Sequence, residues 1–173
     1  MKSVITEHID TLLKFTETNP RQSAFYRWLK ENGKVFWASD RDKKKERELF
    51  SHMNRQIAIK PRQCFYNSQL TKVFLHDLGD DTQGKLEYYE GYYVSHIPIA
   101  ISHGFLVFHG KQEKVVDLTS FVAGIEVNEY FGVPIPCDYI ASKMVETETA
   151  GSVLARYFYE KIYPPQCAEE VIG

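Results

Sequence analysis

Apolar positions Val4, Ile5, Ile9, Leu12, Leu13 and Phe15 recur at a spacing near 3.6, and this pattern predicts an amphipathic helix at the start of the chain. Asn19-Pro20 interrupts it. Phe25, Tyr26, Trp28 and Leu29 predict a second helix, closed at Asn32-Gly33, two residues that tolerate the left-handed conformation favoured at helix ends. Between Asp40 and Ile57 the run RDKKKERELF is followed by Leu49, Phe50, Met53 and Ile57 on one face. That predicts a helix whose charges face solvent, so residues 1–60 read as helical throughout. Asp40, Asp42, Glu46 and Glu48 dilute the basic residues and argue against a phosphate-binding surface.

The texture changes after Lys85. KLEYYEGYYVS, SHGFLVFHG and EKVVDLTS are rich in β-branched and aromatic residues and are bounded by Gly and Ser, which predicts strands. His109-Gly110-Lys111-Gln112 fits the loop of a hairpin joining the second to the third, making them antiparallel neighbours. Another short strand is predicted near Tyr130-Phe131-Gly132-Val133, before Pro134-Ile135-Pro136. Tyr139, Ile140, Met144 and Val145 then share one helical face, and Val153, Leu154, Tyr157, Phe158 and Ile162 form a further helix that Pro164-Pro165 ends, followed by a loose tail. The expectation is a single α+β domain: helices over 1–60, a helix with an antiparallel sheet over 61–136, and helices over 137–163.

Composition narrows the function. The 173 residues, 43% hydrophobic and 25% charged, suit one soluble domain with one core. A formal net charge of −2 lacks the electrostatic footprint of a general nucleic-acid binder. No stretch approaches the roughly 18 apolar residues of a membrane span, and MKSVITEHIDTLLKF has acidic and polar residues where a signal peptide needs an apolar run. A cytoplasmic protein without membrane association is expected. The six histidines show no metal-ligand spacing, and no phosphate loop or dinucleotide fingerprint occurs, so neither a metal nor a cofactor is implied.

Three cysteines, Cys64, Cys137 and Cys167, form neither a disulfide framework nor a thiolate metal site. Cys137 follows Pro136 and reads as a small packed hydrophobe, and Cys167 lies in the tail. Cys64 differs. In KPRQCFYNSQL, Pro61 suits the first turn of a helix, which places Cys64 near the positive end of the helix dipole with Lys60 and Arg62 nearby. Both effects favour the thiolate, the nucleophilic form. A thiolate nucleophile needs a base and a group to orient that base. His103 begins one predicted strand and Asp117 ends the next, and folding the hairpin brings them close to opposite each other, within hydrogen-bonding reach. Gln63 and Asn67 are candidate donors to an oxyanion, and Glu90, in the middle of YYEGYY, either lines the cleft or faces solvent.

Over roughly residues 60 to 120, RQCFYN around Cys64, SHGFLV around His103 and GKQEKVVDLT around Asp117 resemble papain-like thiol enzymes of transglutaminase-like or circularly permuted layout. Arylamine N-acetyltransferases share the order. Phe105 stands two residues after His103, where transglutaminase-like sequences often carry Trp, and RQCFYNSQ lacks the Gly-rich, acidic surroundings of the acetyltransferase cysteine. YYEGYYVS and YFGVPIP are similar to segments of small bacterial or phage proteins with such a triad. The resemblance implies a papain-like fold and amide or acyl chemistry on a protein, peptide or small-molecule substrate, by hydrolysis, deamidation, transamidation or acyl transfer. Two rivals remain. One is a non-catalytic scaffold that binds another protein through Tyr88, Tyr89, Tyr92 and Tyr93, two of which alternation turns outward. The other is a nucleic-acid module built on RDKKKER. Oligomeric state is not readable from the pattern.

Overall fold

The computed structural model describes residues 2–78 and 85–165. Ser3 caps the first helix, α1 (Val4–Phe15), through its side chain, and Asn19 caps α2 (Pro20–Asn32), where Pro20 occupies the first turn. Ile5, Ile9, Phe25 and Leu29 are the buried stripe of this hairpin. Phe15, in the predicted stripe, is exposed instead. Gly33 is not left-handed: its backbone is extended, and what demands glycine is space, because a Cβ there would lie 2.0 Å from the Phe131 ring.

The extended Gly33 leads into a strand, β1 (Lys34–Trp37), inside the region whose pattern predicted only helix. KVFW is too short for periodicity to declare itself, and its partner lies almost a hundred residues away in sequence. Next come α3 (Lys43–Ile57) and α4 (Cys64–Asp77), then the strands β2 (Leu86–Val94), β3 (Ile101–His109) and β4 (Glu113–Val116). A short α5 (Leu118–Ala123) separates β4 from β5 (Glu129–Ile135), and α6 (Cys137–Thr147) and α7 (Leu154–Tyr157) follow. The architecture is α+β.

Among the described residues five strands pair antiparallel in the order β1-β5-β2-β3-β4. The β3–β4 hairpin forms as its loop signal predicts, with His109 opposite Glu113. The last strand in sequence, β5, inserts between β1 and β2, which no local pattern announces. One face of the sheet carries Leu86, Tyr88, Leu106, Phe131 and Val133 under the helices; the other carries Phe36, Tyr89, Phe105, Val107 and Tyr130. Both faces are covered, so β2 does not present an outward aromatic strip: Tyr88 and Tyr89 are buried and Tyr92 and Tyr93 half-buried. Val145 of α6, placed by its spacing on the buried face, is exposed.

β4 pairs only with Leu106–His109 of β3. The earlier half of that β3 edge is therefore open to another element, and α4 occupies it.

Candidate active site

The loop between α3 and α4 reverses through two left-handed residues, Ala58 and Arg62, at φ 49° and 63°. Pro61 lies in this loop, and the helix starts three residues later, at Cys64. Asn67 holds the loop: its Oδ1 accepts from Lys60 N–H at 3.0 Å, and its Nδ2 donates to Lys60 C=O at 2.6 Å and to Thr119 Oγ1 at 2.7 Å. Both amide hydrogens are thus engaged in fastening the Cys64 loop to the start of α5. Asn67→Ala is expected to lower stability by about 2 kcal/mol, the cost of stranding buried partners, as read by denaturant unfolding. It should also loosen Cys64.

Ser68, one turn after Cys64, donates to Gly104 C=O on β3 at 3.0 Å. This bond draws the first turn of α4 against the open strand edge beside His103. Only glycine permits the approach, because a Cβ at 104 would sit 2.8 Å from Tyr88 Oη and 3.0 Å from the Phe65 ring.

At this junction the structure brings Cys64, His103 and Asp117 together. His103 Nε2 lies 2.9 Å from Asp117 Oδ2, with both side chains removed from solvent. Asp117 engages Nε2 and leaves Nδ1 of the ring to other partners, and the Cys64 thiol lies near enough to the imidazole for each to shift the other's hold on its proton. Asp117 caps α5 rather than extending the strand: its Oδ1 accepts from Thr119 and Ser120 N–H at 3.1 and 3.0 Å. Oδ2 also accepts from Tyr130 Oη at 2.9 Å. The carboxylate is saturated, so it can neither rotate nor accept a proton without losing bonds.

Charge follows from these contacts. Burial pushes the Cys64 thiol up, but its hydrogen bond to His103, the charge of that ring, and the Gly104 and Phe65 N–H groups aimed at the sulfur outweigh burial and lower it. Burial likewise disfavours a charged His103. The charge and hydrogen bond of Asp117, then those of the thiol, reverse that and raise the ring well above its ordinary range. Asp117, despite burial, is held far below the ordinary carboxylate range by His103 and the Ser120 bonds. The arrangement favours a thiolate beside an imidazolium. Cys137 shows the contrast: half-buried at the start of α6, it is pushed up by burial.

The other residues singled out in the sequence separate. Gln63 is exposed at the N-cap of α4 and makes no capping bond of its own. Phe105 is buried, its ring stacked 6.3 Å from His103 and packed against Phe36, Tyr89 and Tyr130. Glu90 neither faces solvent nor opens on a cleft: buried, it accepts from Tyr88 Oη at 2.8 Å, from Ser152 Oγ and from Val153 and Leu154 N–H at 3.0 Å each. Its role is to fasten the segment before α7 to β2. Cys167 and most of the Leu78–Lys85 loop lie outside the described residues, as does the tail.

Tyr130, the Gly104 N–H and the tie from Ser68 were not foreseen. YFGVPIP marks a strand but gives no sign that its tyrosine reaches Asp117, and α4 has a buried face of Asn67, Ser68, Thr71 and Lys72 that reads as solvent-facing. Among the described residues no group of His, Cys, Asp and Glu could hold a metal ion. Concavities near Trp37 and Glu129, near Lys45 and His52, and near Cys137 are lined by none of Cys64, His103 or Asp117. Cys64 itself is half-buried. Among the described residues no helix is long and apolar enough to cross a membrane.

Compared with known proteins, the chain matches no protein family, no curated protein and no solved structure.

Proposed function

We propose that this protein is a thiol enzyme acting on an amide or related acyl group, with Cys64 as nucleophile, His103 as acid and base, and Asp117 orienting His103. The observation that carries the reading is a saturated buried carboxylate hydrogen-bonded to one imidazole, beside a thiol at a helix start whose acidity that imidazole raises by favouring the thiolate. The order and the antiparallel sheet agree with the resemblance to papain-like and transglutaminase-like enzymes.

In the first step the sulfur of Cys64 bonds to the carbonyl carbon. The C–N bond breaks as the His103 proton passes to the departing amine, leaving a thioester and a neutral ring. Water then attacks the thioester; His103 takes its proton, the C–S bond breaks, and the acid product leaves with the thiolate and imidazolium restored. An amine in place of water gives transfer or transamidation on the same groups. Gln63 is the side-chain candidate to stabilise the oxyanion, since Asn67 is engaged elsewhere.

The test is alkylation of the intact protein with iodoacetamide at pH 6, read by peptide mass spectrometry. Cys64 is expected to react well ahead of Cys137. A Cys64 that stays inert until the protein is unfolded would overturn the thiol-enzyme reading.

A further inference from the structure

The charged run before and within α3 is not, as its pattern suggests, wholly solvated. Arg41 and Glu46 leave the surface: their side chains are 5% and 0% exposed, and Arg41 Nε donates to Glu46 Oε1 at 2.6 Å. The same oxygen accepts the main-chain N–H of Asp117 at 3.0 Å. Arg41 Nη1 donates to Ile125 C=O at 2.9 Å, beyond α5. The other Glu46 oxygen, Oε2, is buried with no hydrogen-bond partner among the described residues.

Burying an ion pair seldom adds net stability over apolar packing of the same volume, because both charges must leave water. A pair placed directly against the acid of the Cys64–His103–Asp117 line has a more specific consequence. We propose that Glu46, held by Arg41, is a positioning residue that fixes the Asp117 main chain and sets the charge balance under which His103 and Cys64 share their proton. This deepens the thiol-enzyme reading and rests on it.

The groups facing this line can be named from every side. Asp117 bonds the His103 ring, Cys64 is close enough to shift its charge, Tyr93 of β2 packs edge-on 4.6 Å from it, and Tyr130 of β5 bonds Asp117. Tyr88 of β2 lies close enough to Cys64 to feel its charge. The tyrosines are held neutral by burial, Tyr88 and Tyr130 strongly so. The charged side chains packed against this line from beyond Asp117 are Glu46, on the Asp117 N–H, and Arg41, on Glu46. Glu46 is nearer Asp117 than Arg41 is, since its oxygen takes the Asp117 N–H.

Glu46→Gln keeps the side-chain shape and an acceptor for that N–H but removes one negative charge and leaves Arg41 uncompensated. Nearby groups then hold protons less tightly. The expected result is a shift of both the His103 titration, followed by NMR of labelled histidine, and the acid limb of Cys64 alkylation to lower pH, on the order of one unit. Glu48→Gln, on the exposed side of α3, should move neither. Arg41→Lys, which retains the charge, should stay near wild type. Should Glu46→Gln not fold, Arg41→Gln combined with Glu46→Gln leaves no lone buried charge and should shift both titrations the same way by less. Variants that lose thermal stability but keep both wild-type titrations would overturn the proposal and reduce Glu46 to a structural tie. A wild-type Cys64 without rapid alkylation would sink the enzyme reading alone, because the His103 titration remains readable without it.

Discussion

Replacing His103 with alanine is expected to slow iodoacetamide alkylation of Cys64 at pH 6 by about ten- to a hundredfold while leaving Cys137 unchanged. The reason lies in what would remain around the sulfur. Burial raises the thiol, and the first influence opposing it is the His103 hydrogen bond, followed by the charge of that ring. Without the ring, only the Gly104 and Phe65 N–H groups support a thiolate, and its fraction at mildly acid pH falls. A lost thiolate also removes the attacking group of the proposed reaction, so any amide or acyl turnover should fall at least as far. His103→Asn retains a donor for Asp117 and separates loss of the base from loss of packing. Equal alkylation rates in wild type and both variants would show that His103 does not activate Cys64.

Asp117→Asn is expected to have the largest effect on stability, about 3–5 kcal/mol at pH 7, because it breaks a buried pair and leaves the imidazole uncompensated. An amide also has one acceptor oxygen where the carboxylate has two. That oxygen can serve Thr119 and Ser120, which turns the NH2 towards His103 and Tyr130. Facing a donor, Nε2 must be unprotonated, so the ring's hydrogen moves to Nδ1, the nitrogen that should take the thiol proton. Thiol activation and stability fall together, the first read by Cys64 alkylation and the second by denaturant unfolding at pH 7.

The pH dependence has a definite sign. His103 is raised from its ordinary 6.5 to about 10 in the folded protein, chiefly because the charge and bond of Asp117 overcome burial. Its contribution to stability is full below pH 6.5 and is lost as pH rises through about 10. The depressed thiol of Cys64 works oppositely: its contribution is present above the ordinary value of 9.0 and is lost as pH falls through the lower folded value. Where the folded thiol is ionised and the unfolded one is not, the two slopes cancel. Cys64→Ser removes the cancelling slope. Unfolding measured at pH 6, 8 and 10 in that background should show stability falling with pH by up to about 1.4 kcal/mol per unit. Adding Asp117→Asn should flatten the fall; a fall that persists would mean Asp117 is not what holds the proton on His103. Asp117 itself, depressed, contributes above its ordinary 3.8 and loses that contribution only in strong acid.

Much of this site was legible before the fold was known. Pro61 predicted a helix whose first turn holds both it and Cys64; the observed helix starts three residues after Pro61, at Cys64. Gly110 to Gln112 predicted the hairpin that carries His103 and Asp117 to the same end of the sheet. Those signals are local: a helix start and a tight turn depend on backbone preferences within a few residues. What surrounds the line was not legible. Glu46 sits in a run of lysines, arginines and glutamates that reads as solvated, and its neighbour Glu48 is indeed exposed. Nothing in the spacing distinguishes the two, since only the placement of Asp117 above α3 turns one of them inward. Asn67 and Ser68 belong to a helix face that polarity alone assigns to water. They are buried because α4 fills the strand edge that β4 leaves open.

The chain by itself determined its local elements: the α1–α2 hairpin, the strands β2 to β5, the turn at Gly110 and a thiol placed to feel a helix dipole. It also set apart Cys64 from Cys137, through Pro61 before one and the absence of any partner near the other. Tertiary structure decided the remainder. Packing on both faces of the sheet removes the outward tyrosine strip, and the insertion of β5 between β1 and β2 brings Tyr130 to Asp117. Strand order depends on pairings between segments far apart in sequence, and the charge of a thiol depends on which dipoles burial leaves beside it. Neither is encoded in periodicity, because periodicity reports which face is buried and not what it is buried against.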